Sequence, residues 1–484
     1  MFKDNRLSFT YEDWKGGVAS SPYAGIADMR NIDPFSDPVA LKTGHKAIEE
    51  SDGVFDSFPR HATFDEVDNI LYFGTADGQL VQRNSGGAYT DVSNGGFPVS
   101  EATECHGIAY WKRYILYADT TTLDAYNIDS PFWHESWKTF EEGRGALVDF
   151  PHTMLVGQDD VLYITDGKHI ASLQERAGQT FNASSATTYT WNSTALDLPD
   201  GYVSNTLTEY GTFLIIGTYF GEILNIGNRA DTFPWDRLSA SYNIPIRAKG
   251  NGVLASINDN NRLYTLIDKV SGKVAASNLS TYQMLMELRS IKGGINVNPD
   301  AIDVLNNEIL MGIGTDSADM DTSGVYGMKN NFLHLKNVLS CGGTQAQIGS
   351  VTAIGNGDYV ASWEQGSTYG SDLISNTRCD GYISSVTTPL YSLSKSTGKK
   401  LFNNVEIQLG KELSTGQGVK VYYRANLTDS FTLIHTFDFA TWGATNLYND
   451  NANIEELARV QFKIELTSAA DSNESPEFLS MVFD

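Results

Sequence analysis

Short apolar runs that break at a turn and resume as a second apolar run recur along most of this chain. The clearest instances are residues 71–84, 114–128, 161–173 and 213–228, with weaker ones at 252–267, 308–328 and 358–375. Each run is rich in β-branched and aromatic residues and is too short for a helix, so it reads as a strand. Turn formers sit where a hairpin needs them: Asp77-Gly78, Asp166-Gly167, Gly221-Glu222, the Asn258 to Asn261 stretch and Asn356-Gly357. Asp-Gly and Asn-Gly favour the primed turns whose twist matches paired strands. Successive instances start about 40 to 60 residues apart, the period of β-propeller blades. The pattern predicts an irregular propeller of about seven blades over residues 61–390. Two long spacers, 174–205 and 268–300, leave room for further strands or an inserted loop.

Three regions depart from this rhythm. Residues 1–60 carry many turn formers and little periodicity, and read as an extended N-terminal arm that packs on another surface. Residues 280–291 (STYQMLMELRSI) combine good helix formers with an initial Ser and predict a short helix. Residues 391–484 alternate cleanly over five predicted strands, 401–409, 419–424, 431–439, 459–466 and 478–483. There Val405, Ile407, Val419, Val421, Val460 and Ile464 point one way, and Glu406, Gln408, Lys420, Gln461 and Glu465 the other. That is the mark of sheets with one wet face, and a C-terminal β-sandwich is the natural product.

Composition agrees with an all-β chain. Hydrophobic residues make up 41% of 484 positions, and 44 Gly against 13 Pro suit tight turns. The formal net charge of −25 disfavours binding to polyphosphates. The densest basic spots, Lys112-Arg113 and Lys399-Lys400, are isolated pairs and read as solvated strand ends. Cys105, Cys341 and Cys379 are far apart, form no CxxC and read as small buried apolar side chains. The first residues contain no apolar leader segment, and no run is long enough to span a bilayer, so synthesis in a cytoplasm without membrane insertion is expected.

Motifs for chemistry are sparse. GxSxG, HExxH and GxxxxGK[ST] are absent, and the eight histidines are scattered singly. Asp316, Asp319 and Asp321 are spaced to wrap a calcium ion in a loop, but lack the distal Glu of an EF-hand. Asp159-Asp160 and Glu141-Glu142 are neighbours, which in a strand face opposite sides and make no acid–base couple. Trp111, Trp133, Trp137, Trp191 and Trp235 could build a sugar platform or fill space between blades. These readings assign no catalytic, cofactor-binding or metal residue, and the chain is expected not to be an enzyme.

Three pieces resemble virion proteins of tailed bacteriophages. Residues 14–44 (WKGGVASSPYAGIADMRNIDPFSDPVALKTG) look like the start of tail-associated propeller proteins, with Arg30-Asn31-Ile32-Asp33 and Pro38-Val39-Ala40-Leu41 matching an NxD…PxxL stretch. The irregular propeller and the ending LFNNVEIQLGKELSTGQGVKVYYRAN are similar to the body and closing β-domain of the tail hub or nozzle proteins of short-tailed phages. The resemblance implies a virion subunit that forms a homo-oligomeric ring, most often a hexamer. Such a ring carries other tail proteins and passes DNA without specific binding during ejection. A host-attachment or carbohydrate-binding propeller of the virion is the alternative.

Overall fold

The computed structural model describes residues 6–14, 26–37, 39–93, 104–141, 151–220, 229–237, 241–242, 244–267, 272–279, 281–287, 295–315, 322–330, 332–382, 384–393, 400–470 and 473–484. The regular elements of the described residues are strands, apart from single helical turns at Tyr11–Trp14 and Phe439–Trp442. Contacts divide the chain into two units that are discontinuous in sequence: one takes residues 1–48, 324–339 and 374–484, the other 49–323 and 340–373.

The larger unit is built from antiparallel sheets in sequence order. Four complete examples are Pro59–Asp65 to Tyr89–Asp91, Gly107–Trp111 to Phe132–Thr139, Met154–Val156 to Tyr189–Asp197, and Val253–Asp259 to Tyr282–Glu287. A fifth, from Tyr202–Tyr210 to Ser241–Tyr242, carries an extra strand, Ile246–Ala248. In sixth place stands the hairpin Ile302–Leu305/Glu308–Ile313, and in seventh the strands opening with Ala346–Gly355 and Asp358–Gln365. First strands touch first strands in order, and Ala346–Gly355 returns to Pro59–Asp65. This all-β arrangement of four-stranded sheets is consistent with a seven-bladed propeller. The closing joint is tied where the Glu50 N–H donates to the Ser371 carbonyl at 3.1 Å and Tyr89 Oη meets Ser371 Oγ at 2.7 Å. Ring closure covers the faces of the end sheets and leaves only short outer edges.

Local sequence explains the hairpins. Asn260-Asn261, Asn306-Asn307 and Asn356-Gly357 all have positive φ at both central positions, the type I′ pattern. Lys112-Arg113 adopts it too, with φ of 52° and 68°. The turn at Gly221-Glu222 lies outside the described residues. One expectation is corrected: within 280–291, the stretch Tyr282–Glu287 is a strand paired with Lys273–Ser277, from Ser277↔Tyr282 to Lys273↔Glu287. The exposed main-chain edge of Lys273–Ser277 supplies a ladder there, and tertiary pairing overrides modest helix propensity. The spacer 174–205 likewise holds a nine-residue outer strand, Tyr189–Asp197.

In the smaller unit two sheets share one apolar core. The first runs Leu7–Thr10, Phe478–Phe483, Lys400–Leu409, Leu447–Leu457; the second places Asp28–Arg30 and Ser384–Thr387 beside Arg459–Thr467, Gly418–Arg424 and Thr432–Asp438. Val405, Ile407, Val419, Val421, Val460 and Ile464 are all buried between them, as their alternation predicts. Gln461 is not on a wet face. It is fully buried, donates to the Thr388 carbonyl at 2.8 Å and accepts from Arg424 Nε at 2.7 Å. Residues read as an arm pack on their own chain: Leu7 and Phe9 alternate inward along the Phe478–Phe483 edge and, with Trp14, Met29, Ile32 and Leu41, join this core.

Candidate functional site

The starts of the first strands of the larger unit surround a cavity of about 340 Å³. Every sheet contributes to its wall: Arg60 and His61 from the first, His106 from the second, Pro151 from the third, Asn205 from the fourth, Leu254 from the next, and Asn296 and Gln347 from the last two. The strands can converge this closely because of glycine. A Cβ on Gly107 would lie 1.9 Å from the His152 carbonyl oxygen, and one on Gly349 would lie 2.1 Å from that of Pro59.

Ionisable side chains of the wall are engaged locally. His61 is fully buried, and its Nδ1 meets Asp300 Oδ2 at 2.7 Å. Arg60 pairs with Glu104, whose other oxygen lies 3.7 Å from His106 Nε2. His152 donates its N–H to the His106 carbonyl at 2.6 Å, and its ring stacks on Phe140 at 4.0 Å. The His61–Asp300 pair has the base-and-orienter half of a catalytic triad. Among the described residues no hydroxyl or thiol hydrogen-bonds to His61 to complete it. The side-chain amides are ordered by each other and by backbone. Asn296 Nδ2 donates to Gln347 Oε1 at 3.0 Å, Asn298 Nδ2 to the Arg60 carbonyl at 3.0 Å, and Asn205 Nδ2 to the Val253 carbonyl at 2.8 Å.

A second feature links neighbouring sheets through their first hairpins. Arg113 reaches Asp65 of the preceding sheet at 3.2 Å, Asp68 at 2.6 Å and Asp129 at 2.7 Å. Lys112, beside it, turns the other way to Asp160. Asp159 faces onward to Arg237 at 3.4 Å, and Arg237 also pairs with Glu209. Lys112-Arg113 is therefore no pair of solvated strand ends but a two-way staple. Its left-handed backbone, costly for long side chains, is held by partners on both sides. Asp159 and Asp160 diverge, though from the turn between Met154–Val156 and Leu162–Asp166 and not from a strand.

Other residues singled out in the sequence do not converge. Asp316, Asp319 and Asp321 lie outside the described residues. Trp111, Trp133 and Trp235 are buried in cores within and between sheets, with Trp137 and Trp191 packed against one of them, so they form no exposed platform. The three cysteines are free thiols, Cys105 and Cys379 buried. Burial pushes the Cys105 thiol up to about 12, which leaves it inert. No group of three or more potential metal ligands occurs among the described residues, and no helix there is long and apolar enough to cross a membrane. Sequence reading missed the histidines. His61, His106 and His152 recur 45 and 46 residues apart, the spacing of the blades, and that interval was the available signal.

No family model matches this chain, and no curated protein matches it. Solved structures that are similar include BamB from Moraxella catarrhalis, 14% identical with a TM-score of 0.42, over 76% of this chain and 97% of that one. The β-propeller domain of Swd1 from Myceliophteria thermophila is 9% identical with a TM-score of 0.45, over 66% and 97%. The computationally designed protein Ika8 is 10% identical with a TM-score of 0.38, over 71% and 96%. Likenesses of this degree bear on no residue's role.

Proposed function

We propose that this chain is a structural subunit of a phage tail, of the hub or nozzle kind. Copies of it form a ring, a hexamer, that shapes the DNA-ejection passage of the virion and carries other tail proteins. The observation that carries this reading is the use made of the segment on which the phage resemblance rests. Asn31 is 2% exposed with φ of 49°, and its Oδ1 accepts the Val338 N–H at 2.8 Å. Asp33 accepts from Arg378 at 2.7 Å and from the Phe35 and Ser36 N–H groups. Burial alone pushes the Asp33 carboxyl up, but the Arg378 hydrogen bond and charge outweigh it and hold the group far below the usual carboxylate range. Met29, Ile32 and Leu41 are fully buried around this clamp. Polar residues spent on fixing backbone, in a segment that reads as turn-rich and weakly periodic, suit a scaffold.

The cavity on the propeller axis is far too small to admit a duplex, so in this reading DNA passes between copies. A net charge of −25 keeps such a lumen repulsive to phosphate. Electron microscopy of the purified protein, with sedimentation to count subunits, tests the proposal. Closed rings with an open centre and no measurable DNA affinity at about 0.15 M salt are expected. A chain that stays monomeric at high concentration, or that holds DNA tightly at that salt, overturns it.

A further inference from the structure

We infer that the axial cavity of the larger unit is a binding site for one neutral, hydroxyl-rich ring, a monosaccharide unit. This does not depend on the tail reading. Three observations carry it. The first is size: about 340 Å³ lies at the lower end of the range of small-molecule sites, which run from roughly 300 to 1,000 Å³.

The second is charge. The ionisable groups in the wall are already engaged. Arg60 is matched by Glu104, and Asp300 is engaged by the His61 imidazole, so a charged ligand meets no unengaged counter-charge. An anion would have to break the Arg60–Glu104 pair, and a cation would have to compete with Arg60. Desolvating an ion without a new partner is unfavourable, which selects an uncharged ligand.

The third is the pattern of remaining hydrogen-bonding groups. Asn296 donates to Gln347, which leaves the Asn296 carbonyl oxygen as an acceptor and the Gln347 NH₂ as a donor without a protein partner. Asn205 spends its NH₂ on backbone and keeps its carbonyl oxygen. Donors and acceptors side by side match hydroxyl groups, which both give and accept. The accessible wall is mostly polar, which suits a ligand covered in hydroxyls, and Phe58, Leu254, Ile295 and Ile348 supply its smaller apolar part. The amides are held by bonds to each other and to backbone, so little ordering remains to be done on binding.

Saturation-transfer NMR on the full chain, with D-glucose, D-galactose, D-mannose and N-acetyl-D-glucosamine each at about 10 mM, is the test. Such small ligands bind at millimolar affinity, roughly −4 kcal/mol, which this method reads. Transfer to ring protons of at least one sugar is expected. In the Asn296→Ala/Gln347→Ala double variant the signal should fall at least fivefold while circular dichroism and melting temperature stay as in the parent. A single Gln347→Glu variant guards against a folding artefact, because it keeps the shape, removes the donor and should also lose the signal. No transfer from any of the four sugars overturns the inference. So does an undiminished signal in the folded variants, or displacement of the bound sugar by 10 mM phosphate or acetate.

Discussion

Asp124 shows how placement decides the behaviour of one carboxyl. It lies at the bulge between Thr122–Asn127 and Phe132–Thr139 and is 6% exposed. Burial raises its pKa to about 7, the charges of Asp119 and Glu135 add to the rise, and the N–H of Ser136 opposes it. A carboxyl whose folded pKa exceeds its unfolded value holds more protons when folded, so stability falls as pH rises from about 4 to about 7 and is level above that. Asp124→Asn keeps an acceptor for Ser136 and removes the charge. It should stabilise the protein by roughly 1–3 kcal/mol at pH 8 and change little at pH 4, read by denaturant unfolding at both values. An equal effect at the two pH values would contradict this account. Asp33, held by Arg378, has the opposite sign: its contribution is complete above about pH 4 and is lost only as pH falls through its depressed pKa.

Elements of the larger unit meet where side chains are absent. The first and seventh sheets touch at Gly349, where an added Cβ would meet the Pro59 carbonyl oxygen at 2.1 Å and Ser362 Oγ at 2.8 Å. Main chain cannot yield as a flexible side chain does, so the closing joint would open or shift. Gly349→Ala should cost about 3 kcal/mol or more. Gly178→Ala is the control: its φ of 72° is strained for alanine, but nothing lies within 4 Å, and about 1 kcal/mol is expected. Comparable losses in the two variants, measured by chemical denaturation, would mean that backbone approach is not what glycine provides at position 349. The staples of Lys112, Arg113 and Arg237 tie the first four sheets to one another at their hairpins, so contact between those sheets is also set at their first turns.

On the scale of the whole molecule, the smaller unit depends on chain segments remote from one another. Leu7–Thr10 pairs with Phe478–Phe483, and Leu7, Phe9 and Trp14 enter the core, the rings of Phe9 and Trp14 tilted against Phe478. Removing residues 2–14 deletes three buried side chains, each worth about 1.5–3 kcal/mol, and bares a strand edge. The truncated chain should show new protease cleavage within 400–484, while the larger unit keeps its strand signal in circular dichroism and its resistance to cleavage. Uniform resistance along the truncated chain would show that the first strand is dispensable.

Period-two alternation and turn chemistry by themselves determined the all-β class, the blade rhythm and five of the six long strands of 400–484. These signals are local: a buried valine or an Asn-Gly turn imposes its conformation wherever the chain runs. Leu447–Leu457 escaped because its asparagines and acids disfavour strands, and only the register against Lys400–Leu409, with Tyr448 opposite Ile407, makes it one. Tyr282–Glu287 was misread for the same reason. The cavity wall was legible only in the interval from His61 to His106, since its members stand about one blade apart and meet through ring closure. Whether Arg113 is solvated or stapled, whether Gln461 is wet or buried, and whether a tryptophan is platform or filler depend on what lies across the next sheet. Tertiary structure decides such questions, because burial and pairing belong to neighbours that are distant in sequence.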